Sequence, residues 1–157
     1  MNHDTFLLLG IVAQVGDTMT VADLMREDVV TARPDTAVGD LARKMGDEFV
    51  GSVVIERDSR PVGIVTDRDI ALDVVADGQE PDELVAEDVM TTDPATVSAD
   101  AGVMDLIDAM VQASVRRMPV VDDGDLVGII TFDDLVVLLS EEFTKIGDVV
   151  DTEMLPY

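Results

Sequence analysis

The sequence predicts an α+β fold built from two consecutive β-α-β-β-α units, and three observations carry that expectation. The stretch "GIVTDRDI" at residues 63–70 returns sixty-five positions later as "GIITFDDL" at residues 128–135. Apolar residues recur at helical spacing behind the opening segment of each unit. Each unit then holds two β-branched runs separated by a short polar turn.

The repeat orders everything else. Placing Gly63 on Gly128 also places Met25 on Met90, Leu41 on Leu106, Met45 on Met110, Thr66 on Thr131 and Asp69 on Asp134. Each copy opens with a β-rich piece, "DVVTA" at 28–32 and "ATVSA" at 95–99. A helix follows in each: Val38, Leu41, Ala42, Met45 and Phe49 share one face in the first, and Val103, Leu106, Ile107, Met110 and Val111 in the second. Asp35 and Asp100 precede these helices as N-cap candidates. Next come the runs "SVVIE" (52–56) and "PVGIVT" (61–66), split by "RDSR", and "MPVVD" (118–122) and "LVGIIT" (126–131), split by "DGD". Such pairs read as hairpins. One unit of roughly 60 residues is marginal alone, so the two copies are expected to share a core. The matched methionines read as core filling.

The divisions that follow are an N-terminal extension at 1–19, repeat 1 at 20–78, a linker at 79–83, repeat 2 at 84–143 and a tail at 144–157. The run Phe6–Val15 is apolar for about ten residues, half of the roughly 20 that span a bilayer, and reads as a packed terminal strand or helix.

Composition bounds the function. The 157 residues carry 34 acidic and 10 basic side chains, a formal net charge of -24, yet 47% are hydrophobic. A chain with that apolar content has a core, unlike an acidic disordered tail. The charge disfavours nucleic acid and anionic membranes as partners. Lys44 and Lys145 are the only lysines, and acidity of this kind suggests adaptation to high salt; the plainer alternative is one unusually acidic cytosolic protein. The expected location is cytoplasmic. The absence of cysteine removes disulfides, thiolate metal sites and cysteine nucleophiles.

Thr66-x-x-Asp69 and Thr131-x-x-Asp134 satisfy a helix capping box. A cap needs no glycine three residues upstream, however, whereas a ligand-lining strand often wants a backbone that something can approach closely. The two readings are compatible, since a carboxylate in the first helical turn also accepts hydroxyls well.

At these residues the chain resembles a known family. The tandem units, the doubled strand-ending G-h-h-T-x-x-D-h pattern (h apolar) and "RRMPVVDDGDLVG" at 116–128 look like a pair of cystathionine β-synthase (CBS) domains, a Bateman module, over roughly residues 20–143. The resemblance implies two repeats packed through their sheets about a pseudo-twofold axis, with two clefts for adenosine ligands: AMP, ADP, ATP or S-adenosylmethionine. It implies that Asp69 and Asp134 hold ribose hydroxyls and that Thr66 and Thr131 approach phosphate. Adenine is then expected against the same repeat's opening strand, near Val29 and Val30 or Ala95, and its next strand, near Val50 and Gly51 or Val115 and Met118.

Charge adds to this. Between Leu84 and Thr144 the only basic side chains are Arg116 and Arg117. A phosphate in so acidic a half needs local cations, and guanidinium forks suit it. A surface pair balancing nearby carboxylates is the other reading, and worth little energetically. Repeat 1 has Gly51 and Ser52 at these positions, so either Arg68 supplies the cation there or that site is empty, and the two sites are expected to be unequal.

No catalytic residue, catalytic cofactor or metal site is expected. The one histidine is His3, and neither a G-x-S-x-G nor a Walker-type loop occurs. The expected function is a stand-alone regulatory module that binds an adenosine ligand and signals its occupancy to an effector protein. The alternatives are a ligand-free dimerisation or interaction module and, remotely, a small nucleotide-processing enzyme. The stretch "DLVVLLSEEF" (134–143) is apolar around most of its circumference, which predicts a homodimer with Val137 or Leu138 near the interface.

Overall fold

The computed structural model describes residues 19–138 and 140. His3, the Phe6–Val15 run, Leu139 and the whole of the 144–157 tail lie outside them. A 3-10 turn at Val21–Asp23 leads into repeat 1: β1 (Thr31–Ala32), α1 (Val38–Asp47), β2 (Ser52–Arg57), β3 (Arg60–Thr66) and α2, which starts as an α-turn at Asp67–Asp69 and widens to a π-helix over Ile70–Val75. A short helix α3 (Ala86–Val89) and strand β4 (Thr91–Thr92) lead into repeat 2: β5 (Val97–Ser98), α4 (Val103–Ala113), β6 (Arg117–Asp122), β7 (Asp125–Thr131) and α5 (132–138).

The strands form two sheets, ordered β1-β2-β3-β4 and β5-β6-β7. β1 runs parallel to β2 and β5 parallel to β6, while each hairpin is antiparallel. The hairpin turns hold Asp58 and Ser59, and Asp123 and Gly124, all at positive φ, which matches the strands' right-handed twist. Val53 and Ile55 point into the repeat 1 core, and Val54, on the opposite face of the same strand, is also fully buried. That sheet is thus covered on both faces, and β3 touches β7 of the other repeat.

The repeats exchange their opening segments. Val21 is fully buried in the core of repeat 2, beside Leu106, Met118 and Ile130, and its amide donates to Ala101 O at 2.9 Å. Sixty-five residues on, Ala86 is buried in the core of repeat 1, and its amide donates to Thr36 O at 2.8 Å. Arg26 bridges Ile129 on β7, and Thr91 pairs with Ile64 on β3. Burying Val21 contributes about 1.5–3 kcal/mol, all of it gained against the other repeat.

This exchange corrects three expectations. The segments 28–32 and 95–99 form only two strand residues each, Thr31–Ala32 and Val97–Ser98, because the chain is crossing from one repeat to the other. Asp35 and Asp100 are not N-caps; Ala37 and Gly102 hold those positions. The free amides of α1 are met from the linker and the first residue of repeat 2 instead, Gly39 N by Pro81 O and Val38 N by Leu84 O. Met90 lies against Gly63, and Met25 against Gly128, where a Cβ would come within 2.5 Å of the Met25 sulfur. A methionine, not a ligand, is therefore what approaches these glycines.

Two apolar residues assigned to buried helix faces are also exposed. Phe49 lies beyond the end of α1, with φ 54° and 95% exposure, and Val111 faces outward from α4. Phe49 and its counterpart Ser114 both take the left-handed conformation that closes a helix.

Candidate functional site

Both T-x-x-D elements are capping boxes in three dimensions. Asp69 N donates to Thr66 Oγ1 at 3.2 Å, and Thr66 N donates back to Asp69 Oδ2 at 2.8 Å. In repeat 2 Asp134 N donates to Thr131 Oγ1 at 3.2 Å, while Asp134 Oδ2 accepts from both Thr131 N (3.1 Å) and Thr131 Oγ1 (2.6 Å). Each box fixes its carboxylate at the junction between the last strand and the last helix of its repeat.

The first junction opens into a cleft of about 480 Å³. One wall comes from repeat 1: Ile64, Thr66, Arg68 and Asp69. The facing wall comes from repeat 2: Pro94, Ala95, Val115, Arg116 and Arg117. The expected grouping within one repeat is therefore corrected. The exchange of opening segments sets the T-x-x-D turn of repeat 1 beside the first strands of repeat 2. Seven of the anticipated residues meet here, namely Thr66, Arg68, Asp69, Ala95, Val115, Arg116 and Arg117.

The others do not line this cleft. Met118 is fully buried in the repeat 2 core, the alternation along β6 turning it inward while Arg117 faces out, which excludes it as a surface for adenine. Val30 and Val50 pack against the repeat 1 core, and Val29 is half-buried. Gly51 offers its carbonyl to Arg117 Nη1 at 2.7 Å and to Asp67 N at 3.1 Å. Thr131 and Asp134 lie at the second junction.

Within the cleft three guanidinium groups (Arg68, Arg116, Arg117) meet three carboxylates (Asp67, Asp69, Asp133), so formal charge balances locally in a chain that carries -24. Arg116 Nη2 donates to Asp133 Oδ1 at 2.9 Å and its guanidinium carbon lies 5.6 Å from the Phe132 ring centroid. Both contacts are at the surface and cheap to exchange for a stronger anion. Asp69 uses only Oδ2; among the described residues nothing donates to its Oδ1. The cleft thus offers an open carboxylate oxygen on one wall and a pair of guanidinium forks on the other.

At the second junction Arg26 Nη2 donates to Asp134 Oδ1 at 2.6 Å. Burial pushes the Asp134 carboxyl up, but the bonds from Thr131 Oγ1, Arg26 and Thr131 N outweigh it and hold the group below its usual 3.8. Arg26 was not among the sequence candidates. Its signal was available in the register, where it stands opposite Thr91, an arginine against a neutral residue within an otherwise matched pattern.

Comparison with protein families matches the CBS domain at residues 21–75 and again at 85–141. The chain belongs to the CBS domain family. An uncharacterized protein of Methanopyrus kandleri is 39% identical over 138 residues, which span 82% of this chain and 70% of that one. A CBS domain-containing protein of Arabidopsis thaliana is 34% identical over 112 residues, 71% of this chain but only 21% of the plant protein. Among solved structures, a CBS domain protein from Pyrobaculum aerophilum complexed with AMP superposes with a TM-score of 0.70 at 26% identity, covering 78% of this chain and 97% of that one. A further relative, from Bacillus subtilis, carries the name CBS domain-containing protein.

Proposed function

We propose that this CBS pair is a regulatory module that binds an adenosine nucleotide in the inter-repeat cleft and passes its occupancy to a partner protein. The observation that carries the proposal is the opposition of Asp69 to Arg116 and Arg117 across one cleft, each wall from a different repeat. The AMP held by the Pyrobaculum relative supports it.

In this reading Asp69 Oδ1 accepts the ribose hydroxyls, Arg116 and Arg117 meet the phosphate, and adenine lies against Ala95 and Val115. Thr66 orients the carboxylate and keeps a hydroxyl hydrogen free to donate. The nucleotide then ties repeat 1 to repeat 2 through charges that would otherwise sit apart. Asp69 heads α2, whose π-helical stretch Ile70–Val75 begins at the next residue. Wide helical turns of this kind often mark functional sites. Occupancy at Asp69 is thereby linked to the outer face of α2, where Leu72 and Val75 are exposed. No chemistry on the nucleotide is needed for that role.

Equilibrium dialysis in molar salt against labelled AMP, ADP, ATP and S-adenosylmethionine tests the proposal. Saturable binding of at least one, with no product formed, is the expected result. No binding of any of them would leave the exposed apolar helix faces, and an interaction module without ligand, as the better account.

A further inference from the structure

The pseudo-twofold register demands a second nucleotide position, centred on Asp134, and the two positions differ at one residue that decides their use. In the first, Thr91 pairs with Ile64 on the strand that ends in Thr66, and it lines the cleft. Its short neutral side chain makes no bond to Asp69, whose Oδ1 stays open. In the second, the matching residue is Arg26, bridged to Ile129 on the strand that ends in Thr131. Its guanidinium reaches Asp134 Oδ1 at 2.6 Å, while Oδ2 already accepts two bonds from Thr131. Both carboxylate oxygens are therefore occupied, and Oδ1 is held by a cation tethered to the same chain. A ribose hydroxyl, a neutral donor, would have to displace an ion-paired guanidinium from a carboxylate that is only 19% exposed. The same position lacks the phosphate partners of the first, because Arg116 and Arg117 correspond to Gly51 and Ser52.

We infer that Arg26 closes the Asp134 position, so that each chain takes one adenosine ligand, in the Asp69 cleft. This rests on the nucleotide reading of that cleft. Asp134 then serves to pin the opening segment of repeat 1 onto repeat 2, and a carboxylate that looks like a ligand residue in sequence acts as a structural anchor.

The test is the stoichiometry of adenosine and AMP at saturating concentration, by equilibrium dialysis on the full chain and on Arg26→Thr, which copies the Thr91 arrangement. Adenosine is included because the second position has no arginine pair for a phosphate. The parent is expected to take one mole of either ligand per mole of chain, and Arg26→Thr two moles of adenosine. Arg26→Gln, which removes the charge but keeps some of the length, should also gain the second mole if the threonine variant folds poorly. Adding Asp69→Ala separates the sites: alone it should raise Kd roughly 10- to 150-fold, so that little ligand is bound at concentrations that saturate the parent, and with Arg26→Thr it should leave one mole of adenosine bound at those concentrations. A parent that binds two, or Arg26 variants that stay at one, overturns the closure while the nucleotide reading stands. Absence of binding to every chain overturns the nucleotide reading and the closure with it.

Discussion

Met90 lies against the α-carbon of Gly63, its Cγ 2.8 Å from where a Cβ would stand, and Met25 holds the same relation to Gly128. Each methionine belongs to the opening segment of one repeat and each glycine to the β-hairpin of the other. The glycines of the G-h-h-T-x-x-D pattern are thus packing residues that let the repeats clasp each other. The clasp in turn creates the cleft, because it carries Thr91, Pro94 and Ala95 alongside Thr66 and Asp69.

Gly63→Ala and Gly128→Ala should each destabilise the fold by about 1–3 kcal/mol, the usual cost of overpacking a filled site. Gly128→Ala should be the worse of the two, since its added methyl also meets the Arg26 carbonyl at 3.0 Å, and backbone yields less readily than a thioether. Urea unfolding in molar salt measures both. Met90→Ala added to Gly63→Ala should recover part of the loss, and a double variant weaker than the sum of its parts would contradict the assignment.

The sequence made the repeat legible because the sixty-five-residue register is kept in space as well as in letters. Ala37 bridges Val85 while Thr20 bridges Gly102, one contact copied at the same offset. Hairpins, helices and both capping boxes followed from local pattern. The exchange did not, since nothing local tells Val21 that its pocket lies between Leu106 and Ile130 and not beside Leu41. The same gap misplaced the N-caps, for Leu84 O replaces a side chain that no neighbour in sequence supplies. The site was half legible: the residue types at Asp69 and Arg116 were visible, but their opposition is a product of the exchange.

Asp69→Ala should weaken AMP binding by about 1.5–3 kcal/mol, the range for a hydrogen bond involving a charged group. At about 1.4 kcal/mol per decade this is roughly a 10- to 150-fold rise in Kd. The lost capping contact should cost about 1 kcal/mol of stability. Asp134→Ala should leave the affinity near that of the parent. Calorimetric titration of the three chains decides the matter, and equal losses in both variants would show that the two carboxylates share the ligand's contacts.

Replacing Arg116 and Arg117 together with Gln should lower affinity for AMP and ATP far more than for adenosine, because only the phosphate-bearing ligands use the guanidinium forks. The effect should shrink as salt rises. Equal losses for adenosine and ATP would indicate a collapsed wall. No loss for either would return the pair to its contacts with Asp133 and Gly51.

Asp134 titrates below its ordinary 3.8 in the folded chain. A carboxyl whose folded pKa is depressed contributes stability that is fully present above the unfolded value and lost as pH falls through the folded one. The Arg26–Asp134 link should therefore stabilise the parent at neutral pH and fade from about pH 5 downward. In Arg26→Thr the Asp134 carboxyl should titrate at higher pH, seen by NMR of its carboxyl carbon, and the stability gap to the parent should close in acid. A gap of constant size down to pH 2.5 would mean that Arg26 acts through packing of its stem and not through its charge.

The last prediction concerns assembly. On α5 Leu135 turns into the repeat 2 core, while Val136 and Val137 are 45% and 59% exposed. On α2 Val74 is buried, while Leu72 and Val75 face solvent. Both terminal helices thus carry apolar residues that their own repeat leaves uncovered. Isolated exposed apolar residues need no explanation, but pairs on two helices related by the same register are a different matter. A second copy offers the identical surface, and a twofold dimer is the commonest way soluble chains cover one. The parent is expected to sediment as a dimer in molar salt, where screening removes most of the repulsion between two chains of charge -24. Val137→Asp places a carboxylate in that surface and should shift the population to monomer without loss of AMP binding, because Val137 does not line the nucleotide cleft. A parent that stays monomeric up to about 100 μM, above the nanomolar-to-micromolar dissociation constants of specific dimers, would leave a different protein as the cover for these helices.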